Sequence, residues 1–213
     1  MYNPLDRENL GRSVAEAMLE QLAQPLGSLK SFKGAGIYAI YYTGNFSAYA
    51  PLAIQNRDGK FTRPIYVGKA VPSGARKGDS GSSKGTPLYG RIKQHADSIR
   101  EAKNLKIEDF YCRFLVVDDI WIPLGESLLI ARFSPLWNRL LDGFGNHNPG
   151  KGRVDGMRPR WDVLHPGRPW APKYKERPET ADQIAADVVA YLAAMPEPSP
   201  HMLGPELPNG NGK

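Results

Sequence analysis

The sequence predicts a mixed α/β (α+β) fold: a small three-stranded sheet flanked by helices, with an N-terminal helical extension, two inserted arms and a basic C-terminal extension. Three observations predict it. Two short β-like runs, Gly36 to Tyr42 and Pro64 to Lys69, carry the triplets Gly36-Ile37-Tyr38 and Tyr66-Val67-Gly68. A third run, Glu108 to Val117, is apolar on both sides of its alternation, as a central strand is. Around these runs, apolar residues recur at spacings of three and four, the pattern of amphipathic helices.

Residues 11–24 form the first such pattern. Ser13 stands as a candidate N-cap with Glu16 three residues on, and Val14, Met18 and Leu22 make the stripe that Pro25 ends. In the next two runs, period-2 alternation can send Tyr38 and Tyr66 to one face of neighbouring strands. They can equally be ordinary half-buried sheet tyrosines. A Gly at the edge of each run leaves room for another group to approach the backbone. Residues 46–63 read as an irregular arm containing the turn Asn56-Arg57-Asp58-Gly59.

Residues 70–85 are rich in Gly, Ser, Lys and Arg but are not a Walker A loop, because Lys84 precedes Gly85 instead of following it. The segment is either a basic arm that orders on DNA phosphates or a plain flexible loop. Thr86-Pro87 opens the next helix, with Leu88, Ile92, Ala96 and Ile99 as its stripe. Arg91 and His95, four apart, share a strip beside that stripe, where they either serve a site or are solvated.

Pro123 to Phe133 is a further helix, on which Glu126 lies in line with Ile130 and Phe133. A carboxylate there needs a partner: a divalent cation, or an arginine such as Arg91. Asn138 follows Pro135-Leu136-Trp137 and either caps a turn or reaches the same cleft. In the Gly/Pro/Arg-rich stretch 142–178, Trp161 and Trp170 either line a nucleic-acid groove or pin an irregular segment to the core. Thr180 with Gln183 is a capping box, and Ile184, Val188, Tyr191 and Leu192 define the helix it starts. The chain thus divides into an N-terminal helical extension (1–33), a core (34–140), a basic extension (141–195) and a tail (196–213) expected to be disordered.

The chain has 213 residues, enough to bury a real core. No apolar run approaches the roughly 20 residues of a membrane helix, so no membrane partner is expected. No secretory signal is visible, and the single cysteine, Cys112, can form neither an internal disulfide nor a cysteine-based metal site; a reducing cytoplasm fits. The net charge of +6 is unevenly spread. Residues 57–113 carry 13 Lys/Arg against 6 Asp/Glu, and residues 132–177 carry 10 against 4. Two such blocks suit phosphate backbones, or are simply a solvated basic face.

Taken in order, the Gly-Ile-Tyr run, the Tyr-Val-Gly run, the Arg-x-x-x-His helix, the strand, the Glu-bearing helix and Pro-Leu-Trp-Asn resemble the GIY-YIG nuclease superfamily over residues 34–140. His95 stands where many members carry a tyrosine. With the long insertions, this is most similar to the small type II restriction endonucleases of the superfamily that cut CCGCGG in a bacterial cytoplasm. The resemblance implies an antiparallel-type sheet and metal-dependent hydrolysis of double-stranded DNA. It also implies site roles. Tyr38 and Tyr66 position or deprotonate the attacking water, and Arg91 holds the scissile phosphate. His95 bonds to the nucleophile or a tyrosine, Glu126 binds one Mg²⁺ (or Mn²⁺), and Asn138 supports the site from behind.

A free tyrosine ionises at about 10, so Tyr38 as a base would need help from Lys69, Arg91 and the ion; His95 is the other candidate. A palindromic target implies a homodimer with arms 46–63 and 70–85 around the duplex, and a cognate DNA methyltransferase. Arg57, Arg76, Lys77, Lys84, Arg153, Arg158 and Arg160 are the candidate DNA contacts. A structure- or damage-directed repair nuclease and a non-catalytic DNA-binding module are the competing functions.

Overall fold

The computed structural model describes residues 6–71, 85–146, 148 and 156–196. Its centre is strand β2 (Gly36–Tyr42), in which all seven residues are buried. A strand with no solvent face must be covered on both sides, and two helical layers do so. On one side, Ile37, Ala39 and Tyr41 pack with Ala15 and Met18 of helix α1 (Arg7–Leu19) and with Ile122, Leu129 and Phe133 of α4 (Ile122–Phe133). On the other side, Tyr38, Ile40 and Tyr42 share a larger apolar cluster. It draws on α2 (Ala50–Asn56), α3 (Pro87–Glu101), α5 (Leu136–Arg139), α6 (Arg160–Leu164) and α7 (Ala181–Ala194).

The sheet has four strands, not the three expected. Its order is β1-β4-β2-β3, with β3 at Tyr66–Ala70 and β4 at Phe110–Val116, and every pairing is antiparallel. The extra strand β1 is only Gln24–Pro25, beside Cys112 and Tyr111. Proline is tolerated there because an edge strand need not donate outward. At the other end of β2, Gly36 is obligatory: a Cβ would stand 1.9 Å from the Leu115 carbonyl oxygen.

Two expected segments are corrected. The first helix spans Arg7–Leu19, not 11–24; Ser13 is inside it, Asp6 holds the N-cap position, and Leu22 is 84% exposed beyond its end. Contact with α4 sets this frame, since a Cβ on Gly125 would meet Val14 Cγ1 at 2.7 Å and Ile37 Cδ1 at 2.9 Å. Residues 46–63 are not an irregular arm free to embrace DNA. Ser47–Tyr49 form a 3-10 turn leading into α2, and Ala48, Tyr49, Leu52, Ala53 and Asn56 are buried. Asn56 closes the segment by donating to the Tyr42 and Arg63 carbonyls and accepting from Arg63 N. The second expected arm, residues 70–85, is described only at its ends, and the tail after Pro196 lies outside the described residues.

The C-terminal extension is part of the core. Trp161, Leu164, Ile184, Val188 and Leu192 join the cluster that contains Tyr38, so Trp161 pins the chain to the interior. The capping box of α7 forms as expected: Gln183 N donates to Thr180 Oγ1 at 3.2 Å and Thr180 N to Gln183 Oε1 at 2.8 Å. Among the described residues no helix is long and apolar enough to cross a membrane.

A buried polar relay ties this extension to the 3-10 turn before α2 and to α5. Trp137 Nε1 donates to Tyr49 Oη (3.0 Å), which pairs with His165 Nε2 (2.5 Å); His165 Nδ1 meets Asn104 Oδ1 (2.9 Å), and Asn104 Nδ2 donates to the Leu164 carbonyl (2.9 Å). The neutral Nδ1–H imidazole satisfies every member, with Tyr49 donating to Nε2. Burial, reinforced by Arg168, lowers the His165 pKa from 6.5 to about 3. The unfolded chain therefore takes up a proton below pH 6.5 that the folded chain refuses until about pH 3. The associated stability is fully present above pH 6.5 and is lost as pH falls through that window. Urea unfolding should show a loss of about 2 kcal/mol between pH 7 and pH 5, flattened in His165→Gln; an equal slope in that variant would place the titration elsewhere.

Candidate active site

Register brings the two tyrosines together. Tyr38 lies opposite Gly68 and Phe114, while Tyr66 lies opposite Ile40, two residues along. Both rings therefore leave the same face, with centroids 6.2 Å apart. Gly68 is what permits this: a Cβ there would stand 2.4 Å from Tyr38 Oη and 2.6 Å from its Cζ. The Tyr38 ring crosses β3 directly above the missing side chain.

Helix α3 supplies the next two groups from the same side of the sheet. Leu88, Ile92, Ala96 and Ile99 anchor it, and His95 is buried with them instead of lying on a solvated strip. Tyr38 Oη and His95 Nε2 are 2.6 Å apart. One turn earlier, Arg91 lies beside both tyrosine hydroxyls and donates from Nη2 to the Gly145 carbonyl at 3.0 Å. The Phe144 ring stacks on His95 (centroids 4.5 Å apart, 18° between planes) and meets Tyr66 edge-on at 5.0 Å.

The carboxylate comes from the opposite layer. Lys69 pairs in register with Ile37, so its side chain leaves the α4 face of β3, and there Lys69 Nζ stands 2.6 Å from Glu126 Oε2. The partner of Glu126 in this structure is thus Lys69, not Arg91. Glu126 is 18% exposed and Lys69 40% exposed, so the pair is in part open to solvent. Asn138 neither caps a turn with its side chain nor enters the cleft. It accepts from Val67 N and donates to Val67 O, both at 2.8 Å, and Trp137 N donates to the Ile65 carbonyl at 2.9 Å. The start of α5 thereby closes the free edge of β3 and holds Tyr66 and Gly68 in place.

Electrostatics separate the groups. Burial pushes the Tyr38 pKa well above 10; Tyr66 and Glu126 push the same way, and Arg91 opposes without prevailing. Tyr66 is also raised, by burial first, with Arg91 opposing and Glu126 adding. Both phenols keep their protons at neutral pH. Arg91 alone thus does not lower Tyr38, because desolvation outweighs it. A neutral Tyr38 hydroxyl can donate to the unprotonated Nε2 of His95.

The candidate DNA contacts fare differently. Arg57 donates to the carbonyls of Thr43 and Gly44 and to Asn45 Oδ1, so it staples the turn after β2. Arg160, 12% exposed, is ion-paired with Glu179 and Asp187. Arg158 bonds the Ala171 carbonyl, and its own carbonyl accepts from Arg177. In this structure Arg57 and Arg160 serve the scaffold, and Arg158 does so through Nε. Arg76, Lys77, Lys84 and Arg153 lie outside the described residues. Phe144 and Gly145 were not among the expected site residues; their one signal is the Gly143-Phe144-Gly145 run in a basic segment, which spacing alone could not connect to α3.

The Gly68 constraint is testable. Gly68→Ala should destabilise by about 1–3 kcal/mol in urea, because the fully buried Tyr38 has nowhere to move. Wild-type stability in that variant would mean that the ring yields freely and that Gly68 is not what seats it.

The family described as the Eco29kI GIY-YIG domain matches residues 30–192, more than half of the 213. The match runs past the core into α7, in keeping with the shared apolar cluster. No curated protein matches the chain.

Proposed function

The chain belongs to the Eco29kI GIY-YIG family of restriction-endonuclease-like nucleases, and from that premise we propose that it is a type II restriction endonuclease making double-strand breaks at a short GC-rich palindrome such as CCGCGG. The observation that carries the catalytic part is the meeting of Tyr38, Tyr66, Arg91 and His95 on one sheet face, with Glu126 close enough to act on both tyrosines.

Phosphodiester hydrolysis needs a positioned water, a proton acceptor and fixed positive charge where oxygens gain charge. Arg91 supplies the fixed charge; with Nη2 held on the Gly145 carbonyl, other N–H groups of its guanidinium would donate to a non-bridging phosphate oxygen, a charge-assisted contact. Tyr66, the more exposed of the two phenols, would meet the water, with Tyr38 behind it bonded to His95. The water oxygen bonds to phosphorus as the ester oxygen leaves, and the water proton ends on the imidazole of His95. The buried Tyr38 acts in this scheme as a neutral hydrogen-bonding bridge and not as a phenolate.

A divalent cation fits the residues present. Among the described residues no cluster of three or more His, Cys, Asp or Glu could hold a metal, so the ion would rest on the partly exposed Glu126 alone. Mg²⁺ commonly takes one or two carboxylates, completing its shell with water and substrate phosphate. Bound at Glu126, with Mn²⁺ as a substitute, it would neutralise charge on the phosphate. Glu126 would then release Lys69, whose ammonium would face the cleft. Two-fold symmetric DNA further implies a homodimer with one such site per strand, and host survival a cognate methyltransferase.

Two measurements test this reading. A plasmid digested with Mg²⁺ should give discrete bands whose sequenced ends share one palindrome, with EDTA and Glu126→Ala each abolishing cleavage and Glu126→Ala still binding DNA; unspecific nicking would instead support a repair-type nuclease. The pH dependence of kcat/KM should level off well before the tyrosine range. A continued tenfold rise per pH step up to about 10 would identify a tyrosine phenolate as the base and overturn the role given to His95.

A further inference from the structure

One fully buried cation among the described residues is not used by the proposed chemistry. Arg168 is buried between Trp161 and Trp170, its guanidinium carbon 4.5 Å and 4.3 Å from their ring centroids. Its Nε and Nη2 each donate to the buried Asp162 carboxylate at 2.6 Å. The remaining donors all reach one short stretch of backbone: Nη2 to the Gly143 carbonyl (2.9 Å), Nη1 to the Phe144 carbonyl (3.1 Å) and to the Asn146 carbonyl (3.4 Å).

That stretch is a tight turn, closed by Asn146 N donating to the Gly143 carbonyl at 3.0 Å. Gly143, at φ +98°, packs so near Pro159 that a Cβ would stand 2.1 Å from the proline Cβ. The opposite side of the turn meets the candidate active site at three points. The carbonyl of Gly145, the turn residue Arg168 does not hold, accepts from Arg91. The Phe144 ring stacks on His95 and abuts Tyr66. A Cβ at Gly145 would lie 3.1 Å from Arg91 Nη2, 3.2 Å from Tyr66 Oη and 3.8 Å from His95 Cε1.

We propose that Arg168 is a positioning residue for the nuclease site, acting through the 143–146 turn to set Arg91 and His95. The proposal rests on the catalytic reading above for its kinetic consequence only. A buried guanidinium gripping three carbonyls fixes the turn in a way a lysine's single ammonium cannot, since the planar fork presents several donors in set directions. The ion pair with Asp162 keeps that charge satisfied, and the two indoles exclude water from it. A displacement of about 1 Å in Arg91 suffices for a loss of up to roughly 100-fold in turnover.

The test uses Arg168→Lys, and Arg168→Met combined with Asp162→Leu so that no unpaired carboxylate stays buried. Gly145→Ala perturbs the turn from the site side and leaves Arg168 untouched. Two readouts are taken on the full chain: the NMR resonances of the His95 ring, displaced by the Phe144 ring current, and single-site cleavage kinetics. In folded variants the His95 resonances should move, and kcat should fall about 10–100-fold while KM holds within about threefold. Unchanged His95 resonances in a folded Arg168 variant, or wild-type kcat in Gly145→Ala, would overturn the proposal. If neither Arg168 variant folds, Gly145→Ala decides through the same two readouts. Should the wild-type protein cut no DNA, the catalytic reading falls, and the His95 resonances still judge the positioning role.

Discussion

Strand β2 has no face toward water, and the rest of the molecule answers to that. A polar group on such a strand must find its partner inside, because an unpaired buried hydroxyl costs about 1–3 kcal/mol. Tyr41 meets Arg113, Tyr42 meets the Phe46 amide, and Tyr38 meets His95. The last pairing dictates the placement of α3: the helix must present His95 inward, and so carries Arg91, one turn earlier, to the same opening. It also dictates Gly68, since the Tyr38 ring can reach α3 only across a residue without a side chain. Structural and functional demands on these positions cannot be separated, because the bond that satisfies the core also assembles the site.

Much of this was legible in the sequence. The glycines beside the two runs implied close approach, and the structure shows what approaches: the Leu115 carbonyl at Gly36 and the Tyr38 ring at Gly68. Helices α3, α4 and α7 followed from periodicity and capping, and the shared face of the tyrosines from alternation. Elements that owe their form to tertiary contact were not legible. Strand β1 is two residues long and exists only because β4 offers an edge, and α2 hides in a weakly apolar stretch because its burial is completed by distant helices. The frame of α1 followed its contact with Gly125, not its own capping residues.

Charge was the least transferable signal. A surplus of arginine in 132–177 resembles a nucleic-acid footprint, yet Arg160 and Arg168 are both bound into internal networks, as Arg57 is in the other block. Composition counts a guanidinium the same whether it faces phosphate or a carbonyl. What distinguishes the two is the supply of acceptors nearby. The irregular, glycine-rich backbone around 143–146 leaves carbonyls outside any helix or sheet, and buried carbonyls need donors. An arginine close by in sequence can be the answer to that local need before it is available to a ligand.

In the proposed reaction a well-buried site must move protons at neutral pH. Desolvation penalises every charged form, so the tyrosines that line the pocket are poorer acids here than in water. Arg91 does not undo this, and Lys69 is already matched by Glu126. In the proposed scheme the imidazole of His95 accepts the proton, and the positive charge it gains lies beside a dianionic phosphate transition state. Burial that disfavours Tyr38 as an anion suits the proposed role of a neutral conduit to His95. The ring of Phe144 stacked on that imidazole, and Arg168 behind the turn that carries it, keep the acceptor oriented while its charge changes.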